Sequence, residues 1–228
     1  MYYPIFLDIS QINCLIVGGG EVGLRKAKSL LDAGVNELTV IDINNFNSSW
    51  SNLSNYNQLV LKKSTFTKQD LHNKKLIFAC TGEKEFNSYI ASLCKDLGLL
   101  CNCITEPQNG NFIVPALAQI KNKEKASLMA AISTEGASPA WSKFLKKELQ
   151  QWLINHAPMT QFLGKLRPFV LALGKDTKHN TALFRSIVQS PLRHYLLENN
   201  KEKSKQLLKK LLPVSLHQYI EELLHDNI

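Results

Sequence analysis

Three glycines, Gly18, Gly20 and Gly23, carry the clearest chemical pattern in the chain. They lie in the run Gly18-Gly19-Gly20-Glu21-Val22-Gly23, which directly follows the apolar residues 13–17 and opens a stretch of helical periodicity. Such a turn lets the backbone approach a pyrophosphate, and the N–H groups at the start of the helix favour its negative charge. The pattern therefore predicts a dinucleotide-binding turn.

Asp42 ends the next predicted strand, 19 residues after Gly23. A carboxylate at that place accepts hydrogen bonds from the adenosine ribose hydroxyls and repels a 2′-phosphate, so NAD is expected rather than NADP. The alternative is a structural turn with an exposed aspartate. The residues expected to bind the cofactor are Gly18, Gly20, Glu21, Val22, Gly23, Asp42, Ile43 and Thr81.

Strand and helix patterns alternate in the first half of the chain. This order predicts an α/β fold, a Rossmann-like parallel sheet with helices on both faces. The predicted strands are 13–17, 38–42, 58–61, 75–80 and 99–103, with helices at 22–33 and 84–97 and further strands at 112–116 and 126–132.

Beyond Pro139 the periodicity becomes helical, and we predict breaks at Pro158, Gly174, Pro191 and Pro213. The predicted helices are 140–153, 160–173, 181–188, 191–197, 201–211 and 215–225. We expect three parts: an NAD-binding Rossmann domain (1–115), a bridging and dimerisation segment (116–150) and a small all-helical domain (151–228).

Composition limits the class of protein. The chain has 228 residues, 44% of them hydrophobic, which is enough for a substantial core. No apolar run approaches the roughly 18 residues of a membrane helix, and the N-terminus lacks the pattern of a signal peptide. We therefore expect a cytoplasmic protein that does not bind a membrane.

The net charge of +8 favours an acidic partner. The basic residues concentrate after residue 143, on helices whose charges are usually solvated. Nucleic-acid binding through this tail is an alternative, but no basic strip interleaved with aromatics and no recognition-helix motif supports it. We expect no nucleic-acid partner.

Cysteine and histidine spacing argues against disulfides and metal. The five cysteines, an odd number, are expected to be buried thiols, including Cys101 and Cys103 of the only C-x-C pair. The six histidines show no paired spacing, so we assign no metal ligand.

Several blocks together resemble the precorrin-2 dehydrogenase family, the NAD-dependent module of sirohaem synthases. They are Pro4–Asp8, Cys14–Gly23, Arg25-Lys26-Ala27, Phe78–Thr81, Cys101–Ile104, Asn111–Pro115 and Leu128–Pro139. The resemblance covers about residues 3–150. It implies transfer of hydride to NAD from a tetrapyrrole with eight carboxylates, giving sirohydrochlorin, and in some members insertion of ferrous iron. It also implies a homodimer that exchanges contacts through the segment after the sheet.

Residues 133–138 make a carboxylate-rich substrate plausible. Ser138 and Pro139 have the pattern of an N-cap followed by proline at the first helical position, and hydroxyl residues precede them. The alternative is an ordinary helix cap. Together with the resemblance, the pattern predicts substrate-binding residues Asn102, Ser133, Thr134, Gly136 and Ser138.

The chain departs from the family pattern at Thr105. Resembling proteins carry an aspartate two residues before the proline that is Pro107 here, as the acid/base group. A threonine hydroxyl is a poor base near neutral pH. We therefore name Glu106 together with Thr105 as the catalytic candidates, and doubt iron insertion. The competing hypothesis is a catalytically degenerate module that binds NAD or a tetrapyrrole in a regulatory or carrier role.

Overall fold

The first half of the chain builds one parallel sheet. Its elements are β1 (Asn13–Val17), α1 (Glu21–Asp32), β2 (Glu37–Asp42), β3 (Leu59–Lys63), β4 (Leu76–Ala79), α2 (Lys84–Asp96) and β5 (Leu100–Cys103). The strand order is β3-β2-β1-β4-β5, which is the order of a Rossmann half-sheet with its crossover between β1 and β4. The predicted Rossmann-like α/β fold is confirmed.

The computed structural model describes residues 2–122 and 125–225, with the backbone alone at 121, 122 and 125–127. Two compact units divide the chain, Met1–Val114 and Pro115–Ile228. No helix in the described part is long and apolar enough to cross a membrane.

Two apolar layers cover the sheet of the first unit. Alternate residues of a strand point to opposite faces, so Ile16 and Phe78 share the face of α1, while Leu15 and Ile77 share the face of α2. All four are buried. Both faces of the central strands are therefore dry, as the continuous apolar runs predicted.

The second unit combines a hairpin with helices. Its elements are β6 (Ala116–Asn122), β7 (Lys125–Ile132), α3 (Pro139–Ala172), α4 (Thr177–Gln189), α5 (Leu192–Leu197), α6 (Lys201–Leu211) and α7 (Ile220–His225). The hairpin is antiparallel, with Ala118 opposite Ala130, and α3 packs on it. A separate core forms around Phe162, Leu166, Ile187 and Leu208, all fully buried.

The predicted break at Pro158 is wrong, because α3 is one helix of 34 residues that contains both Pro158 and Pro168. Proline removes a helical hydrogen bond, but apolar residues on both sides of Pro158, such as Leu153 and Phe162, are fully buried. Tertiary packing therefore holds the helix together. It also runs unbroken through residue 150, where we placed a boundary, and the three-part division stays a prediction.

Two further element predictions are corrected. Residues 112–115 are not a strand, and β6 begins only at Ala116. The carbonyl of Phe112 accepts from the Asn102 side chain (3.1 Å) instead of a strand, which removes it from any ladder. The predicted helix 215–225 is a 3₁₀ segment over Val214–Tyr219 followed by α7.

Candidate functional site

The glycine turn joins β1 to α1 through backbone contacts that exclude larger residues. Gly18 has φ +108°, a value that favours glycine, and a Cβ on it would lie 2.5 Å from the Cys80 carbonyl oxygen. A Cβ on Gly23 would lie 2.0 Å from the carbonyl oxygen of Gly18. A Cβ on Gly20 would meet nothing within 4 Å. The turn is therefore tight where it packs and open at Gly20.

This opening fits a pyrophosphate. Gly20 is the N-cap of α1 and has no side chain to occupy the first N–H groups, which belong to Glu21, Val22 and Gly23. Those groups and the positive end of the helix dipole suit a phosphate. The residues present therefore fit the dinucleotide that the sequence predicts.

Asp42 is bound to the glycine turn itself. Its carboxylate accepts the N–H of Gly19 (2.5 Å) through one oxygen and the N–H of Asn44 (2.7 Å) through the other. Each oxygen keeps a lone pair for a ribose hydroxyl. The neighbouring Ile43 is 63% exposed, so it presents an apolar surface beside the carboxylate.

An aromatic pair supports the same turn from the far side. The indole N–H of Trp50 donates to the Gly19 carbonyl oxygen (2.9 Å), and Phe46 packs edge-on against Trp50 with ring centroids 5.3 Å apart. A Cβ on Gly19 would lie 2.7 Å from the Phe46 ring. The sequence pattern does not predict this support.

Asn87 organises the loop at the carboxyl end of β4, and sequence reasoning missed it. Its side chain is fully buried. The amide oxygen accepts from the Thr81 N–H (3.1 Å) and hydroxyl (2.7 Å), and the amide nitrogen donates to the Thr81 carbonyl (2.9 Å) and the Thr105 hydroxyl (3.3 Å). Thr81 and Thr105 are therefore brought together. The property that identifies Asn87 is its burial, which is unusual for an asparagine in a helix and is not visible in the sequence.

Glu106 points to the start of α2, and four groups hold its carboxylate, one of which is the Gln108 amide that donates to Oε1 (3.3 Å). Lys84 forms an ion pair with it (2.8 Å), and the Ser88 hydroxyl and the Asn109 amide each donate to Oε2 (3.1 Å). The hydrogen bond from Lys84 is the main cause that lowers the pKa of Glu106, with further bonds from Ser88 and Asn109. A carboxylate held in this way stays ionised and is a weak base.

Asn102 is the one predicted substrate residue in the first unit. It is buried in β5, opposite Phe78 in register, and its amide nitrogen donates to the Phe112 carbonyl. The side-chain oxygen lies on the face of α1. Its predicted role in substrate binding stays a prediction.

The other four predicted substrate residues form one turn in the second unit. The Ser138 hydroxyl caps α3 by accepting from the Trp141 N–H (3.2 Å), with Pro139 at the first helical position, which confirms the predicted cap. Thr134 and Ser142 share a hydroxyl–hydroxyl bond (2.9 Å). The exposed Ser133 hydroxyl accepts from the Glu135 N–H (3.0 Å), and Gly136 has φ +88°.

The cysteines are free and buried, as expected. Burial raises the pKa of Cys14 and of Cys80 to about 12, so both are neutral thiols at pH 7. Among the described residues, no cluster of three or more histidine, cysteine or acidic side chains could hold a metal ion.

The fold and the glycine turn define a dinucleotide-binding protein of the Rossmann class. A family model described as "Putative NAD(P)-binding" matches residues 5–116. The solved structure of SirC, precorrin-2 dehydrogenase, is similar with a TM-score of 0.70 and 25% identity, and the match covers 92% of this chain and 98% of that one.

Curated relatives agree with this likeness. Siroheme synthase 2 of Pectobacterium atrosepticum is 29% identical over 218 residues, which is 94% of this chain and 46% of that protein. Siroheme synthase 2 of Yersinia pseudotuberculosis is 30% identical over 167 residues, 73% of this chain and 34% of the relative. The chain thus spans less than half the length of these relatives. The first half of the chain matches an NAD(P)-binding family, and the chain is similar to a precorrin-2 dehydrogenase along nearly its whole length and to part of siroheme synthases.

Two glycine substitutions separate the packing of the turn from its binding role. Gly23→Ala places a methyl group against the Gly18 carbonyl, so we expect a lower melting temperature and loss of NAD binding. Gly20→Ala meets open space, so we expect an unchanged melting temperature but NAD affinity weaker by about tenfold or more, because the methyl group occupies the phosphate position. Calorimetric titration with NAD measures the affinity of both variants, and thermal unfolding measures their melting temperatures. Full affinity in Gly20→Ala would show that the phosphates bind elsewhere.

Glu106→Gln tests the ion pair at the start of α2. Because its folded pKa is lowered, Glu106 stabilises the fold above its unfolded pKa and loses this contribution as pH falls through the folded pKa. The variant should therefore unfold at a lower temperature than the parent at pH 7, and the difference should vanish in acid. Glu148→Gln, an exposed carboxylate on α3, is the control. A difference that persists unchanged in acid would contradict this assignment.

Proposed function

We propose that the protein oxidises precorrin-2 to sirohydrochlorin with NAD as the hydride acceptor. The observation that carries the proposal is the glycine turn held by Asp42, an intact dinucleotide site within a chain that matches SirC over nearly its whole length. When bound, NAD supplies the hydride chemistry. The chain's own residues then have to bind and orient both ligands and accommodate the released proton.

Asp42 supports the choice of NAD over NADP. Both carboxylate oxygens already accept backbone N–H groups, so the side chain is fixed where a ribose would lie. A 2′-phosphate there would meet a negative charge that cannot turn away. The two hydrogen bonds fix the position of the Asp42 carboxylate, so the preference for NAD over NADP rests on geometry as well as on charge.

Thr105 and Glu106 are the candidates for handling the proton. The Thr105 hydroxyl is exposed and receives the Asn87 amide N–H, while Glu106 is held by Lys84 away from that amide. Neither is an effective base in this arrangement. Because removal of hydride leaves a cation that readily loses a proton, positioning beside NAD can supply much of the rate. We do not extend the proposal to iron insertion, which needs a group that accepts pyrrole protons.

The substrate would carry many carboxylates, and the turn at residues 133–138 suits them. Ser133 and Gly136 are exposed, and the backbone there passes through positive φ at Glu135 and Gly136. We propose that Ser133, Thr134, Gly136 and Ser138 bind substrate carboxylates. For Asn102 of the first unit we propose the same role, separately.

The departure at Thr105 favours a second candidate function, a module that binds NAD or the tetrapyrrole without turnover. Such a protein would keep the glycine turn and Asp42, since both serve binding. It would not need a base. The two functions differ only in whether NADH forms.

The decisive assay mixes the protein anaerobically with precorrin-2 and either NAD or NADP, and follows NADH absorbance and the tetrapyrrole spectrum. We expect oxidation with NAD and much less with NADP. Thr105→Asp should raise the rate, because the Asn87 amide that now donates to Thr105 would orient the new carboxylate. Glu106→Ala shows whether Glu106 takes part. NAD binding without oxidation in the parent and in Thr105→Asp would favour the binding module.

We also propose a homodimer formed through the second unit. Large apolar side chains are exposed on β6, β7 and the start of α3: Leu117, Met129, Trp141 and Phe144 are between 37% and 52% exposed. Trp141 and Phe144 stack with centroids 5.1 Å apart. A second copy would cover this surface, as the family resemblance implies.

Sedimentation measures the assembly directly. We expect a dimer at micromolar concentration, and a shift towards monomer in Trp141→Glu/Phe144→Glu, because the charges would be buried at the interface. Tyr89→Glu, an equally exposed aromatic on α2 in the first unit, is the control. A monomeric parent, or an unchanged dimer in the double variant, would contradict the proposal.

A further inference from the structure

Lys26 presents a charge to the sheet that nothing in the described structure neutralises. It lies on α1, half-buried, with Nζ 5.7 Å from the centre of the Phe78 ring. Two lysines beside the sheet have carboxylate partners, Lys62 with Asp70 and Lys74 with Glu37. Within residues 2–122 and 125–225, Lys26 forms no ion pair.

Leaving a half-buried ammonium unpaired is costly. A ring face beneath it recovers part of the lost hydration, but less than a carboxylate does. Burial lowers the pKa of Lys26, and the neighbouring Arg25 adds repulsion. Cys80, also close to Lys26, is a neutral thiol and does not balance the charge. The arrangement therefore favours an anion from outside the described chain.

The position of Lys26 selects among anions. Phosphates of the dinucleotide suit the first turn of α1 at Glu21–Gly23, whereas Lys26 extends over β4 to Phe78. Phe78 lies opposite Asn102 in register, and the two residues share the face of α1. Lys26 and Asn102 thus lie on the same face of the sheet, and the opposite face of β4 and β5 is covered by α2.

On this face α1 reaches β4 through the apolar cluster around Phe78, and among the described residues no helix makes extensive contact with β5 here. In the described part of the first unit, α1 packs on β1 and β2, and the neighbouring strands are covered mainly by side chains such as Phe112, which packs edge-on against Phe78 at 5.5 Å. A cation and a buried amide lie there among aromatic rings. Phe78 and Asn102 are themselves buried, so the accessible part of the Lys26 side chain is the group that can bind a carboxylate at the rim of this face.

We propose that Lys26 is a positioning residue that binds one carboxylate of the tetrapyrrole and so places the macrocycle beside the dinucleotide site. The assignment rests on the proposed function for the identity of the substrate. It adds a single cation, on α1, to Asn102 on the same face of the first unit. Because the ion pair forms where water is limited, it contributes more than an exposed pair would.

The test compares Lys26→Met with Lys28→Met, which removes the same charge from the exposed side of the same helix. We expect Lys26→Met to raise the KM for precorrin-2 by about tenfold or more, with a much smaller change in kcat and an unchanged Kd for NAD. Lys26→Arg should recover part of the affinity, since it restores the charge. Lys28→Met should behave like the parent.

A titration of sirohydrochlorin, followed by its absorbance, gives the same comparison without turnover. If the parent binds sirohydrochlorin but does not oxidise precorrin-2, the proposed dehydrogenase fails while the assignment of Lys26 is still tested by this affinity. Equal affinity in Lys26→Met and the parent would overturn it. So would an equal loss in Lys28→Met, or a loss of NAD affinity as large as that for the tetrapyrrole. Lys26→Gln replaces Lys26→Met if the apolar variant does not fold.

Discussion

Gly23 lies so close to Gly18 that a methyl group on it would sit 2.0 Å from the Gly18 carbonyl oxygen, and Gly18 in turn touches the backbone at Cys80. Through these two contacts β1, α1 and β4 are fixed to one another by main chain alone. Asp42 then extends the arrangement to β2 through its bond with the Gly19 N–H. The packing of the dinucleotide site therefore depends first on glycines, which are required for the side chains that they lack.

The parts of this arrangement that the sequence predicts are local. The glycine spacing, the apolar strands and Asp42 lie within 30 residues of one another, so periodicity and position are enough to identify them. The same holds for the cap at Ser138. The strand order also follows, because parallel strands joined by helices permit few topologies.

What the sequence does not predict depends on contacts between distant residues. Asn87 looks like any polar residue of an amphipathic helix until burial places it between Thr81 and Thr105. The sequence suggests a helix end at Pro158 because proline lacks the backbone N–H. The packing that outweighs this loss is known only from the structure. Glu106 could be named as a candidate, but its capture by Lys84 and Ser88 required the fold.

Asn111 has a consequence for the behaviour of the folded protein in concentrated solution. Its side-chain oxygen accepts from the Cys101 N–H (2.8 Å), and its amide nitrogen donates to the Leu99 carbonyl (2.8 Å) at the outer edge of β5. The Asn111 N–H also donates to the Cys101 carbonyl (3.0 Å). An edge strand with unpaired groups recruits strands from other molecules and starts aggregates. One asparagine thus ends the sheet here, and at the opposite edge the charge of Lys63 on β3 opposes such growth.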